Sequence, residues 1–425
     1  MLAGVRIAAR RRDARLADAR LLNTLRTATN THPGALHLLQ LASREAFGYG
    51  AGYVGGPTMA EIADRCPTAR GRGSTAMTIL VTGGAGYIGS HTVRALQRQG
   101  LRVVVLDNLV YGHRPVVEQV LQVPLVVGQL GDRALLDQLL SGEHPATGGA
   151  PGRPGEAIEA VLHFAAYAYV GESVADPARY YRNNLGDSLI LLEALLAEGR
   201  RRGGQPLPLV FSSTCATYGI PDPEQIPIAE TCPQRPINPY GRSKWMVEQL
   251  IADFGAAYGL PSVIFRYFNA AGADPVGDLG EDHTPETHLI PLVLDALSGR
   301  SPYLQIFGDD YPTADGTCIR DYIHVSDLAD AHVLGLRKLL AEGGSHVFNL
   351  GNGTGYSVQQ VIDTAKAITR RGLLAHVAPR RPGDPPVLVA SAERARRELG
   401  WQPRYPELST ILSHAWAWHQ TLIPH

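Results

Sequence analysis

The chain has 425 residues, 44 % of them hydrophobic, and carries 39 basic against 40 acidic side chains. At about 150 residues per domain, two or three domains are expected, and a net charge of −1 gives no global attraction for nucleic acid. Four cysteines (Cys66, Cys215, Cys232, Cys318) show no CxxC spacing, which argues against a zinc ribbon or disulfide framework and fits a reducing cytoplasm, and no apolar run approaches the ~18 residues of a membrane span.

Charge is uneven along the chain. Residues 1–76 hold eleven arginines, no lysine and five acidic residues, which leaves 28 basic against 35 acidic residues in the remainder. This basic leader lacks the compact apolar stretch of a secretion signal. It reads as a disordered extension or a mis-assigned start, with Met77 as the initiation site because strand texture begins there; a transit peptide or a regulatory tail is the other reading.

From Met77 onward, apolar runs alternate with helical patterns. Strands are expected at 78–83, 102–108, 125–129, 159–166, 208–213 and 262–268, and helices at 90–99, 133–140, 186–198 and 244–258. The runs are continuously apolar and too far apart for hairpins. Strands of that kind are buried on both faces, which predicts an α/β fold of Rossmann type with a doubly wound parallel sheet. Two swollen loops at 141–157 and 199–208, rich in Gly, Pro or Arg, read as surface insertions. Beyond residue 270 the texture shifts to Gly, Pro and Asp, with helical segments at 287–298, 325–340 and 357–370 and short strands at 304–307 and 346–350. This predicts a smaller α/β substrate-binding domain of 270–317 plus 342–425, and a dinucleotide-binding domain of 77–269 plus about 318–341.

The stretch TGGAGYIG closes the first strand and opens a helix. Gly83 permits the tight turn, Gly86 lets the backbone approach a pyrophosphate, and Gly89 lets the helix pack against the sheet. The helix N-terminus then directs its amides at the phosphates. Asp107 ends the second strand eighteen residues past Gly89. A carboxylate there hydrogen-bonds ribose hydroxyls and repels a 2′-phosphate, which favours NAD over NADP.

NPYGRSK sets Tyr240 one helical turn ahead of Lys244 on the same face. A free phenol has a pKa near 10 and is a poor base at neutral pH. A nearby ammonium and a positive nicotinamide ring would favour the phenolate. The lysine can also reach the nicotinamide ribose. Upstream, Ser212, Ser213 and Thr214 end a strand at the sheet edge where ligands bind in such folds, and a hydroxyl there could hold the substrate oxygen.

TGGAGYIG, HFAAYAYVGES, YYRNN, FSSTCATYG, NPYGRSK, RYFNAAGA and DGTCIRDYIHVSDLADAH occur in this order. From Met77 to about Trp418 the chain resembles the extended short-chain dehydrogenase/reductase family, and within it the branch that epimerises UDP-sugars. The resemblance implies tightly held NAD, a homodimer, and reversible interconversion of UDP-galactose and UDP-glucose by transient oxidation at C4. Tyr240, Lys244 and Thr214 would carry the chemistry. Gly83, Gly86, Tyr87, Ile88, Gly89, Asp107, Asn108, Gln129, Phe164, Ala165, Asn183 and Tyr267 would line the cofactor, with Tyr240 and Lys244. Ser212, Thr214, Asn269, His288, Leu289, Phe307, Arg320, Arg381, Asp384 and Leu388 would hold the nucleotide sugar. Arginine suits bidentate phosphate recognition, but Arg320 could equally pair with Asp315 or Asp321, and Arg381 could be a solvated neighbour of Arg380.

Three departures from the family pattern stand out. Gln129 replaces an adenine-contacting acid, Ala168 replaces a lysine near the cofactor, and Leu388 stands where a wall residue limits the sugar's 2-substituent. Leu is intermediate in size, so UDP-galactose is expected as main substrate with some UDP-GalNAc activity. A 4,6-dehydratase would need an Asp-Glu pair after Thr214, where this chain has Cys215 and Ala216. Epimerases of UDP-glucuronate or UDP-xylose, and an inactive NAD-binding scaffold, are the other readings. No metal site is expected: His414 and His419 in HAWAWHQ have poor ligand spacing and read as part of a terminal helix, and His163 reads as a core histidine.

Overall fold

The computed structural model describes residues 77–149, 154–381 and 384–422, so the basic leader lies outside the described residues. Strands β1 (Thr78–Thr82), β2 (Arg102–Asp107), β3 (Leu125–Val127), β4 (Ile158–His163), β5 (Leu209–Thr214), β6 (Ser262–Tyr267) and β10 (Ser345–Leu350) form one seven-stranded sheet. Its order is β10-β6-β5-β4-β1-β2-β3, and every pairing is parallel. The order reverses between β1 and β4, which is the switch point where ligands bind in open α/β sheets.

Burial on both faces explains why these strands read as unbroken apolar runs. Ile79 and Val81 join one core layer with Val93, Leu96, Leu328 and Leu336, while Leu80 joins the opposite layer with Leu136, Leu191, Phe211 and Val247. Alternate residues of one strand thus serve two helical layers. The first layer is built by α1 (Tyr87–Arg98) and the helix Val325–Glu342; the second by α2 (Arg133–Ser141), α3 (Ser188–Arg201) and α4 (Pro239–Tyr258). Local chemistry sets the helix ends. Asp132 caps α2 by accepting from Leu135 N, Asn238 caps α4 by accepting from Gly241 N, and Gly259 at φ 70° stops α4.

A third core gathers Ile290, Val293, Tyr322, Val361 and Ile411. It involves α5 (Leu289–Ser298), α7 (Val358–Thr369) and α8 (Leu408–Thr421), whereas α6 (Val325–Glu342, the helix already met) belongs to the first layer on the main sheet. The strand β9 (Ile319–His324) pairs with β7 (Asn269–Ala271), β11 (Gly355–Ser357) and β13 (Val387–Leu388) in a separate sheet, and β8 (Leu304–Phe307) pairs with β12 (Ala375–Ala378).

Two boundaries differ from expectation. The strand at 345–350, read as part of the smaller domain, is the edge strand of the main sheet, in register with β6. Only the helical part of 318–341 returns to that sheet, because β9 bonds elsewhere. Both strands are short and apolar, and their sequences do not encode which neighbour they meet.

His163, His414 and His419 have ordinary structural partners. His163 is buried with Nδ1 2.7 Å from Thr82 Oγ1 and Nε2 2.9 Å from Ser188 Oγ, so both ring nitrogens are satisfied inside the core. His414 and His419 sit on the terminal helix α8 and turn to different partners, His324 and Ser298.

Candidate active site

The turn after β1 has the form a dinucleotide needs. Gly83 adopts φ +76°, and a Cβ there would lie 2.5 Å from Ala165 N. A Cβ on Gly89 would come within 2.2 Å of Gly83 O, so the third glycine is required for the helix to close on the turn. At Gly86, by contrast, a Cβ would have only Gly83 O nearby, at 3.5 Å. That side of the turn is open, and no side chain caps the N-terminus of α1, whose amides are available to a diphosphate. The residues therefore fit the group expected of them.

Several of the expected cofactor residues stand around this turn. Asp107 is buried and accepts from Ala85 N at 3.0 Å and Leu109 N at 2.8 Å. Burial raises its carboxyl above the usual range, against those two amides. Each oxygen keeps a second lone pair for a ribose hydroxyl. Asn108 donates to Gln129 Oε1 at 3.2 Å, so Gln129 holds a neighbouring asparagine at this rim. The amides of Phe164 and Ala165 both donate to Thr82 O, which presses the end of β4 onto the turn. Tyr87 donates its hydroxyl to Gly272 O at 2.7 Å, and Ile88 packs against the first core layer. Asn183 donates to Asn184 Oδ1 at 2.9 Å.

The second group stands at the carboxyl end of β5, on the same sheet edge. Tyr240 and Lys244 lie in the first turns of α4 and are 9 % and 4 % exposed. Lys244 Nζ donates to Ser212 O at 2.9 Å and sits 4.7 Å from the Phe211 ring centre. Ser212 Oγ is 2.8 Å from the Tyr267 hydroxyl, and Thr214 Oγ1 accepts from Ala216 N at 3.1 Å. One expectation needs correction here. Burial pushes the Tyr240 hydroxyl well above its ordinary range, with Tyr267 and Cys215 adding to this and only Thr214 pulling it down. Lys244 is itself lowered to about 7 by burial, against the pull of Glu248. Protein groups alone thus disfavour the Tyr240 phenolate, because desolvation outweighs the one hydrogen bond, to Thr214, that favours it.

Sequence reading missed what fixes this group. Glu248 continues the stripe of Tyr240 and Lys244 at the next i+4 position, and it is buried. Its carboxylate accepts from Arg266 Nη2 at 2.7 Å and Gln234 Nε2 at 2.9 Å, and from Ser213 Oγ. Asn184, next to the expected Asn183, bonds both the amide and carbonyl of Tyr167 and donates to Ser243 Oγ at 3.0 Å. The i, i+4, i+8 spacing was a usable signal for Glu248; nothing in the sequence distinguished Asn184 from its neighbour.

The third group comes from the later strands. Arg320 on β9 pairs with Asp384 at 2.5 Å and also donates to Ile319 O. The acids nearest in sequence are used elsewhere: Asp321 accepts from the amides of Asn352, Gly353 and Ala390, and Asp315 holds Thr317 and Ser357. Arg381 lies 4.1 Å from the Phe307 ring centre, while Arg380 goes to Asp310 and the Tyr311 ring. Leu388 is the register partner of Arg320 and packs against the cluster of Tyr218, Ile228, Cys232, Phe268 and Ala390. The charge of Arg320 reaches Cys215, next in the chain after Thr214. Asn269 begins β7 opposite Tyr322, and Leu289 begins α5. His288, the residue preceding α5, has its Nδ1 2.9 Å from both Glu281 and Glu286, so its side chain is committed to these carboxylates on one side.

The chain is similar to known proteins over most of its length. The sequence model of the NAD dependent epimerase/dehydratase family matches residues 79–351. A UDP-glucose 4-epimerase of Halalkalibacterium halodurans is 49 % identical over 344 residues, which is 81 % of this chain and 96 % of that protein. The crystal structure of UDP-glucose 4-epimerase from Brucella ovis in complex with NAD is similar at a TM-score of 0.72 and 47 % identity, over 80 % of this chain and 98 % of that one. That of UDP-glucose 4-epimerase from Bifidobacterium longum in complex with NAD+ and UDP gives a TM-score of 0.72 at 36 % identity, over 81 % and 98 %. A glycine turn open to a diphosphate, a buried Tyr-x-x-x-Lys pair on the same sheet edge and this match over most of the fold lead to one assignment: the chain belongs to the NAD-dependent epimerase/dehydratase family.

Proposed function

We propose that this protein interconverts UDP-galactose and UDP-glucose by reversible oxidation at the sugar C4, with NAD retained through the cycle. The observation that carries the reading is the convergence of Tyr240, Lys244, Thr214 and Ser212 at the carboxyl end of β5, on the edge that also bears the glycine turn of β1. Bound NAD supplies the hydride acceptor at C4 and a positive ring that favours the phenolate. Tyr240 takes the proton of the 4-hydroxyl and returns it after the sugar has turned. Thr214 orients that hydroxyl, and Lys244 holds the ribose and damps the cost of a buried phenolate. Arg320 and Arg381 bind the diphosphate and ribose of the nucleotide, Phe307 flanks the uracil, and Asp384 keeps Arg320 in place.

Substrate scope follows from Leu388. Its packing against Tyr218 and Phe268 makes it a fixed wall of intermediate size, which favours the 2-hydroxyl of UDP-galactose and admits N-acetyl sugars poorly. The main sheet with α6 forms the dinucleotide-binding domain, and the later strands form the UDP-sugar-binding domain. A homodimer fits the exposed apolar side chains Val170, Val174 and Leu189, which lie on helices of the first domain. Among the described residues no helix is long and apolar enough to cross a membrane, and a cytoplasmic location fits the free cysteines Cys215, Cys232 and Cys318. The test is an epimerisation assay of purified protein on a panel of UDP-sugars. Turnover of UDP-galactose that exceeds that of UDP-GalNAc supports the reading; no turnover of any UDP-hexose, or equal efficiency on both, refutes it.

A further inference from the structure

The segment EDHTPETH, Glu281 to His288, brings four ligand-type side chains together beside the cofactor turn. One ligand atom from each of Glu281, His283, Glu286 and His288 lies within 4.8 Å of all the others. His288 Nδ1 is 2.9 Å from an oxygen of each carboxylate, and His283 Nδ1 is 3.4 Å from Glu281 and 3.6 Å from Glu286. Ligands bound at about 2.0–2.2 Å in a tetrahedron stand roughly 3.4 Å apart, so these separations need only small adjustments to enclose one ion.

Charge and hydrogen bonding point the same way. The carboxylates of Glu281 and Glu286 are 7 % and 13 % exposed, and among the described residues neither pairs with a lysine or arginine. Two buried anions need two positive charges. Protons on the imidazoles supply them in the ion-free chain, and a bound divalent cation would replace those protons; the geometry suits that exchange, because His283 Nδ1 is buried and faces both carboxylates without closing a hydrogen bond on either. The frame is fixed around the cluster. Trp418 Nε1 donates to Glu281 O, His113 Nε2 lies 2.8 Å from Asp282 O, and the rings of Tyr87 and Tyr169 stand edge-on to His283.

We propose that Glu281, His283, Glu286 and His288 bind one divalent transition-metal ion of the zinc class, in a closed structural site that fastens this segment to Tyr87 at the start of α1. Two imidazoles and two carboxylates suit that class of ion. With all four positions filled by protein the ion has no vacancy for substrate, so its role is to hold the loop and not to take part in the reaction. The proposal does not rest on the epimerase reading, since metal retention is read without turnover.

The experiment loads untagged, full-length protein with Zn²⁺ or Co²⁺, removes unbound metal by gel filtration, and measures metal per chain together with the visible spectrum of the Co²⁺ form. About one ion per chain is expected, with the intense bands of tetrahedral Co²⁺ and a higher melting temperature than in chelator-treated protein. His283→Gln and Glu286→Gln should each cut retention at least about tenfold while circular dichroism stays unchanged. Wild-type protein that retains no ion, a Co²⁺ form without tetrahedral bands, or equal retention in both folded variants would overturn the proposal. If a variant fails to fold, the wild-type stoichiometry and Co²⁺ spectrum still decide.

Discussion

Beside β5, burial drives Tyr240 and Lys244 toward their neutral forms, the lysine down to about 7 and the phenol upward. Between Tyr87 and α5 the outcome is reversed. Without a bound ion, burial opposes the charged forms of His283 and His288, but the adjoining glutamates outweigh it and raise them to about 9 and 10, and Glu281 and Glu286 are pulled down in turn. Desolvation is common to both places. What differs is the partner: Glu281 and Glu286 face two imidazoles directly, whereas the one carboxylate near Lys244, Glu248, is already engaged by Arg266. A site that must move a proton keeps its ionisable groups short of compensation, while the His-Glu cluster sets each charge against an opposite one.

The sharpest way to break this comparison is to free Glu248. Arg266→Met leaves a buried carboxylate without its guanidinium and should cost about 3–5 kcal/mol in chemical denaturation. A loss below about 1 kcal/mol would mean that Glu248 is not held by this pair. The network would then have no part in positioning Lys244.

Lys244→Met tests the other half. Its amine is depressed in the folded chain from 10.5 to about 7. The unfolded chain therefore binds the extra proton between pH 7 and 10.5, and this residue makes stability rise with pH over that window and adds no slope below it. The histidines act with opposite sign. With folded values above the unfolded 6.5, their contribution is complete below pH 6.5 and is lost as pH rises through 9 and 10. Lys244→Met should remove the rising component from melts between pH 7 and 10.5 and lower kcat by about 100-fold. An unchanged profile would show that the amine is not desolvated as described.

Smaller effects test the substrate side. Arg320→Lys keeps the charge but loses the planar fork, and should raise KM for the UDP-sugar by roughly 10-fold with little change in cofactor content. Leu388→Ala opens the wall, and should shift the kcat/KM ratio of UDP-GalNAc to UDP-galactose upward by about 3- to 10-fold. A ratio that stays fixed would remove Leu388 from the substrate wall.

The main sheet was legible because its strands are buried on both faces and so lack any alternation to confuse them. The expected strands at 78–83, 102–108 and 262–268 match β1, β2 and β6 to within a residue at each end. The strands β7, β11 and β13 are two or three residues long and carry no period, so the second sheet could not be foreseen. The local pair Tyr240 and Lys244 was readable from helical spacing once the glycine turn and the strand ending in Ser212, Ser213 and Thr214 gave it a context. The partners that set its chemistry were not: Arg266 meets Glu248 across eighteen residues of chain, and Asp384 meets Arg320 across sixty-four. Pairings of that reach are created by sheet register, which residue types do not specify. The same limit hid the His-Glu cluster, whose residues were in view as EDHTPETH but whose closeness is a property of the folded segment.

The central claim is that the Tyr240 hydroxyl carries the proton at the sugar C4. Its most direct test is the epimerisation rate of Tyr240→Phe on UDP-galactose, with bound NAD quantified in the same samples. The account predicts a fall in kcat of about 10²- to 10⁴-fold at unchanged cofactor content; turnover within about twofold of wild type would contradict it.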